Sequence, residues 1–359
     1  VKKRAPIASR DNRAESLHLD VGQWMHAFAS ELFPICRSIT GDGLRTTLRR
    51  IQQEIPITIH EVPSGTSVLD WTIPDEWNIR DAWIANTRGE RVVDFRKSNL
   101  HVVNYSMPVR GRMTLTELKP RLHTLPDCPD WIPYRTTYYK RDWGFCLSHK
   151  QFQQLTDGEY EVCIDSTLAP GSLSYGELLI RGETDDEFLL SVHCCHPSLA
   201  NDNLSGISVA VALAKAISKP KVSLRFLFIP GTIGAVTWLA RNEQKLARIK
   251  YGLVLTCVGD AGNITYKKSR RGDAEIDQAA QQILQRAGEP HRVIDFFPYG
   301  YDERQYCSPG FDLPVGCFMR SQHGTFPEYH TSADNLEFMK PESLADSLKK
   351  IHSIIGMIE

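Results

Sequence analysis

The chain has 359 residues, enough for two domains or for one α/β domain carrying an inserted module. Hydrophobic residues make up 42% and charged residues 24%, the balance of a soluble globular protein rather than a disordered or fibrous one. The net charge of −1 excludes the general electrostatic pull that draws basic proteins to nucleic acid or to anionic membranes.

The opening VKKRAPIASRDNRAESLHLD is basic and polar without an apolar centre, which predicts a disordered leader over residues 1–19 and neither a signal peptide nor a membrane span. From Val21 to about Ile55 the pattern is helical. VGQWMHAFASELF and GDGLRTTLRRIQQEI each repeat apolar residues at intervals of three and four. Between them PICRSITGDG is rich in turn formers and reads as a helix–helix connection, with the look of a loop that has a task of its own.

From about Pro56 the texture changes. Short β-rich pieces (ITIHEV, DAWIAN, RVVDF, LHVVNY) alternate with Pro, Gly, Asn and Asp, and Trp71, Trp77, Trp83 and Trp131 fall among them. This predicts a small, mostly β domain over residues 56–144, inserted into an α/β domain formed by 20–55 and 145–359. In the latter, near-continuous apolar strands (FLLSVHCC, SLRFLFIP, YGLVLTCV, LPVGCFM) alternate with amphipathic helices such as GISVAVALAKAIS and ESLADSLKKIHSIIGMI. That rhythm predicts a mixed, mainly parallel sheet flanked by helices, with any site at the carboxyl ends of its strands.

Nine cysteines are scattered through the chain, most of them in apolar stretches. An odd count without a CxxC pair predicts buried reduced thiols and a cytoplasmic protein rather than a disulfide framework. Cys194 and Cys195 are adjacent on a strand and therefore point to opposite faces, so they do not make a metal clip.

Three clusters could carry chemistry. In HCCHPSLANDNLSG a strand ends near His196, and Asp202 precedes a glycine-led helix, so an imidazole and a carboxylate can converge on one divalent ion. In PEYHTSADNL, His330 occupies a loop ahead of the last helix, with Ser332 or Asp334 placed to cap it. In YGYDERQYCSPGF the run Asp302, Glu303, Arg304 suits a buried ion-pair network. Taken singly, each is ordinarily structural: a helix cap, a buried donor, a loop histidine.

Together, and in this order, these clusters resemble the zinc aminopeptidase/glutamate carboxypeptidase group. More narrowly the chain is similar to aminopeptidase-like proteins associated with bacterial polysaccharide or secondary-metabolite gene sets, which carry a small inserted β domain. ELFPICRSITGDG, EVPSGTSVLDWTIPDEW, NLHVVNYSMPV and YYKRDWGFCLS share that likeness, which spans about residues 20–355. The resemblance implies that His196, Asp202 and His330 are metal ligands, with His193 an alternative for the first. It also implies a small amino-acid or peptide-like substrate, no nucleic-acid or membrane partner, and leaves homo-oligomerisation open.

Departures from the group's pattern qualify its chemistry. Active peptidases carry two consecutive glutamates after the next strand, one a general base and one a ligand; here FIPGTIGA puts Gly231 and Thr232 there. A further ligand aspartate is replaced around Thr256 and Cys257, with Asp260 as the substitute. The group's C-terminal winged-helix segment is absent from the sequence given. His196, Asp202, His330 and Asp260 suffice for one zinc with an open position rather than two. Loss of a general base costs ~100- to 10,000-fold in rate, so a displaced carboxylate, Glu303 or Asp302, is expected to serve, with Arg304 and Tyr329 as substrate contacts. The reading is a single-zinc amide hydrolase; the alternatives are acyl transfer on the same scaffold, or a non-catalytic binding relative.

Overall fold

The structure, a computed structural model, describes residues 10–359, with side chains described from residue 20 onward. Eight strands form the central sheet in the order Thr58–Pro63, Ser172–Ile180, Ser223–Ile229, Glu187–His193, Ile249–Leu255, Val315–Met319, Ile264–Lys267, His291–Ile294. The four central strands are parallel; antiparallel pairings bring in Thr58–Pro63 and Ser172–Ile180 on one flank and Ile264–Lys267 on the other. The fold is α/β with a mixed sheet, and the sequence rhythm predicts it correctly.

Side-chain alternation divides the strand Glu187–His193 between two cores. Phe188, Leu190 and Val192 pack under the helices Arg10–Leu32, Gly206–Ala216 and Pro341–Ile358, whereas Leu189 faces the layer containing the helix Ile233–Asn242. The helix Gly206–Ala216 is buried over nine of its eleven residues, which explains its lack of a polar face. Each fully buried Leu, Ile, Val or Phe contributes about 1.5–3 kcal/mol, so these two layers dominate the stability. Cys194 and Cys195 belong to opposite cores, as strand alternation requires. All nine cysteines are free, and seven are buried.

The inserted β layer is an antiparallel sheet of Arg91–Asp94, Glu76–Ala85, Glu159–Ala169 and Val109–Thr114, with its own core around Ile84, Phe145 and Val162. Its edges differ from the expected 56 and 144. Thr58–Pro63 pairs with the central sheet, and Glu159–Ala169 pairs with Glu76–Ala85 before the chain enters the central strand Ser172–Ile180. The first helix begins at Arg10, so residues 10–19 are helical rather than part of a leader; residues 1–9 lie outside the described residues. Among the described residues no helix is long and apolar enough to cross a membrane.

Candidate metal centre

The strand Glu187–His193 is buried along its whole length and delivers His193 to the carboxyl edge of the sheet. Pro197 then turns the chain into a wide helical turn, Ala200–Ser205, in which Asp202 and Asn203 keep non-helical backbone. Side chains of the turn hold that shape. Asn203 donates to the carbonyl of Leu255 (2.9 Å), Ser205 to that of Asn201 (2.6 Å), and Asn201 accepts from the Gly259 amide (2.8 Å). Neighbouring strand ends are thereby tied to the turn, leaving the Asp202 carboxylate fully buried.

Three imidazoles converge on that carboxylate. His193 Nε2 lies 2.8 Å from Asp202 Oδ1, while His196 Nδ1 and His330 Nε2 lie 3.1 and 3.0 Å from Oδ2. Tyr301, whose ring stacks on His193 at 4.2 Å, donates its hydroxyl to Oδ1 at 2.7 Å. Tyr329 stacks on His330 at 3.9 Å, and its hydroxyl meets that of Tyr301 at 2.7 Å. His330 adopts φ +57°, a left-handed conformation that a non-glycine residue keeps only when its surroundings hold it there.

The electrostatics suit a cation. Burial pushes the His193 imidazole down to about 4, against the opposing pull of Asp202, and burial likewise lowers His330. Burial alone would raise Asp202, but the facing imidazoles, His196 foremost, outweigh it and hold the carboxyl well below its usual range. His193 and His330 are thus biased toward the neutral imidazole and Asp202 toward the carboxylate, the protonation states that metal ligation needs. The ligand atoms of His193, His196 and Asp202 lie within 4.8 Å of one another. Tetrahedral zinc with bonds of roughly 2.0–2.1 Å separates its ligands by about 3.3 Å, so this donor set fits such an ion.

Two further groups fix the centre from behind. The Asp334 carboxylate accepts the backbone amides of Asn201 (2.6 Å) and Asp202 (2.9 Å); burial, opposed by these bonds, pushes it up to about 8. Arg37, in the loop PICRSITGDG, is fully buried and donates Nε–H to the carbonyl of His196 (2.8 Å) and an Nη1–H to that of Leu32 (2.6 Å). The expectation that this connection has a task is thereby given a physical content.

The remaining sequence candidates stand elsewhere. Asp260 is not among the clustered donors: it accepts from Asn201 Nδ2 (2.8 Å), the Gly262 amide (2.6 Å) and Ser321 Oγ (2.7 Å), organising a loop. Its place near Asp202 is taken by His193, which the resemblance offers only as the alternative to His196. Glu303 is bound to Lys267 (2.9 Å) with both side chains fully buried, so it is not a free base. Asp302 is fully buried, and neither of its oxygens has a hydrogen-bond partner among the described residues. A Cβ built on Gly231 would lie 3.6 Å from Asp302 Oδ2 and 3.1 Å from His193 Cβ. Burial, then the charge of Glu303, raises the Asp302 carboxyl well above its usual range. Arg304 is exposed. Tyr301 and Arg37 carry no motif that marks them in the sequence; a tyrosine next to the DER run is the one signal for the first.

The inserted layer closes over the centre. Tyr134 donates its amide to the carbonyl of His330 (2.8 Å), and its ring sits edge-on to both His196 and His330 at 5.1 Å.

Comparison with known proteins agrees with this architecture. Over 342 residues the chain is 56% identical to a Clostridium acetobutylicum protein named for polysaccharide biosynthesis with an aminopeptidase-like domain, covering 95% of this chain and 79% of that one. A crystal structure from Clostridium acetobutylicum, described as that of a peptidase, superposes with a TM-score of 0.95 at 54% identity, over 97% of this chain and 83% of the other. A zinc aminopeptidase from Bacillus subtilis shares the fold at 12% identity, with a TM-score of 0.67 over 94% and 95% of the two chains. Residues 26–359 match the family described as a domain of unknown function, DUF4910, and the chain belongs to that family.

Proposed function

We propose that the protein is a metal-dependent hydrolase of an amide bond in a small amino-acid or peptide-like substrate. The observation that carries this is the convergence of His193, His196 and His330 on the single buried carboxylate of Asp202. His193, His196 and Asp202 would hold one zinc ion, with His330 at the second carboxylate oxygen on the more exposed side. Zinc held there would supply Lewis-acid polarisation of an amide carbonyl.

The chain's own groups supply orientation and protons. Asp334 and Arg37 hold the backbone on either side of the ligands, and Tyr301 fixes the orientation of Asp202. Asp302 is the proton carrier in this reading. It stands against Gly231, next to His193, and is uncommitted by hydrogen bonds, whereas Glu303 is spent on Lys267. Burial and the charge of Glu303 bias it toward the protonated form, in which a carboxylic acid can donate to a departing amine. Delivery of that proton requires the Asp302 side chain to open toward bound substrate.

The test combines metal analysis with a panel of aminoacyl p-nitroanilides. The expected result is zinc near one per chain, lost in His193→Ala, with measurable hydrolysis that Asp302→Asn lowers ~100-fold or more. Gly231→Glu, which introduces a carboxyl beside the same spot, should restore activity to Asp302→Asn. Absence of bound zinc would sink the metal reading. Unchanged hydrolysis in Asp302→Asn would remove that residue alone.

A further inference from the structure

A cavity apart from the metal centre lies on the seam between the inserted layer and the central domain. Its volume is about 350 Å³, within the range of small-ligand sites, and it is walled by residues 33–34, 95–100, 198, 332 and 335. Arg96 and Lys97 line it, and among the described residues no carboxylate does. Arg96 is already paired with Asp81 at 3.0 Å, whereas Lys97 has no acidic partner among the described residues. Lys97, which shares the field of Asp94 without forming an ion pair, is therefore the unpaired cation of this wall.

Asn99 and Ser198 spend their donors within the wall, on Pro34, Ser198 and Phe33, whereas three other neutral polar groups have donors to spare. Ser98 Oγ accepts the Leu100 amide (3.2 Å) and Ser332 Oγ accepts the Ile132 amide (2.9 Å), so each hydroxyl keeps its own hydrogen for another partner. Asn335 uses Oδ1 to accept the amides of Glu337 (2.9 Å) and Phe338 (3.0 Å), which leaves its NH₂ group uncommitted. Phe33 and Phe95 add an apolar wall. A cavity that offers hydrogen-bond donors and one free cation, with no ionised acceptor, selects an acceptor-rich anion. Its apolar wall suits a ligand whose anionic group is carried on a ring or hydrocarbon body.

We infer that this cavity is a binding site for a small oxyanion, a phosphate group borne on a compact apolar or ring-shaped body. Ser198 and Ser332 stand two residues beyond His196 and His330, so the cavity and the metal centre are built on the same two loops. The inference is independent of whether the centre holds zinc.

The experiment is isothermal titration of the metal-free full chain with inorganic phosphate and with phenyl phosphate at constant ionic strength. Phenyl phosphate should bind at least tenfold more tightly than inorganic phosphate. Lys97→Met, at an exposed position, should weaken phenyl phosphate at least tenfold. Asn335→Asp keeps the carbonyl-type acceptor that the Glu337 and Phe338 amides use but replaces the free NH₂ with negative charge, and should weaken it as much. Wild-type protein that fails to bind either probe at 20 mM overturns the inference (a ceiling of roughly −2.3 kcal/mol on the 1 M scale). So does phenyl phosphate binding that both variants leave unchanged, or equal affinity for the two probes.

Discussion

The amide of Tyr134 donates to the carbonyl of His330 at 2.8 Å, so a residue of the inserted segment holds, through its backbone, the loop that presents a candidate metal ligand. Ser332 returns the contact by donating its amide to the carbonyl of Ile132 at 2.8 Å. The insertion is therefore structurally part of the centre, and its sequence is under the same geometric demands as the histidines.

Replacing the Tyr134 ring should loosen the site. Tyr134→Phe loses only the hydroxyl contact with Tyr138 (2.9 Å) and should keep zinc affinity within about threefold of wild type, whereas Tyr134→Ala removes the edge contacts to His196 and His330. Loss of groups that orient ligands typically costs 10–100-fold in metal affinity. Competition with a chromophoric chelator measures it; equal affinity in both variants would contradict this role.

Asp260 and His193 should separate cleanly. His193→Ala removes one of three clustered donors and should abolish stoichiometric zinc, while Asp260→Asn should retain zinc and lose about 1–3 kcal/mol of stability from its loop bonds. Zinc content and urea unfolding of the two variants decide it. Zinc loss in Asp260→Asn would return that residue to the ligand set.

Glu303 and Lys267 form an ion pair sealed from water, so breaking it should cost more than deleting it. Lys267→Met leaves the Glu303 carboxylate unpaired and should destabilise by about 3–5 kcal/mol, and Lys267→Met/Glu303→Leu should recover most of that. Chemical denaturation of the single and double variants provides the comparison. A double variant as unstable as the single would mean that Glu303 matters for something other than its partner.

Asp302 gives a pH signature with a definite sign. Its folded pKa is raised, so the folded state holds a proton that the unfolded state releases above about pH 4. The stabilising contribution of that carboxyl is complete below the unfolded value and declines as pH rises toward the folded one, by up to about 1.4 kcal/mol per pH unit. Asp302→Asn, neutral throughout, should therefore gain stability relative to wild type as pH increases from 4, and match its pH dependence below. Melting temperatures of the metal-free proteins across that range check it; a pH-independent difference would show that Asp302 ionises freely.

Much of this was legible in the sequence, and the misses have identifiable causes. Apolar runs of strand length alternating with amphipathic helices determined a layered α/β fold, because only a two-sided sheet buries such strands. The motif HCCHPSLANDNLSG likewise placed an imidazole and a carboxylate where they can converge at a strand end. Only the tertiary structure decided which groups meet there. Alternation along Glu187–His193 is reliable as far as His193 and lapses in the turn beyond it, so the joint use of His193 and His196 depends on how that turn packs. Glu159–Ala169 reads as a strand in either sheet, since strand patterning does not specify the partner; its register with Glu76–Ala85 does. Glu303 carries the same charge in any loop, and it is Lys267, 36 positions away, that commits it. Residue chemistry is local and was readable; the pairing of buried charges is a property of positions brought together by folding.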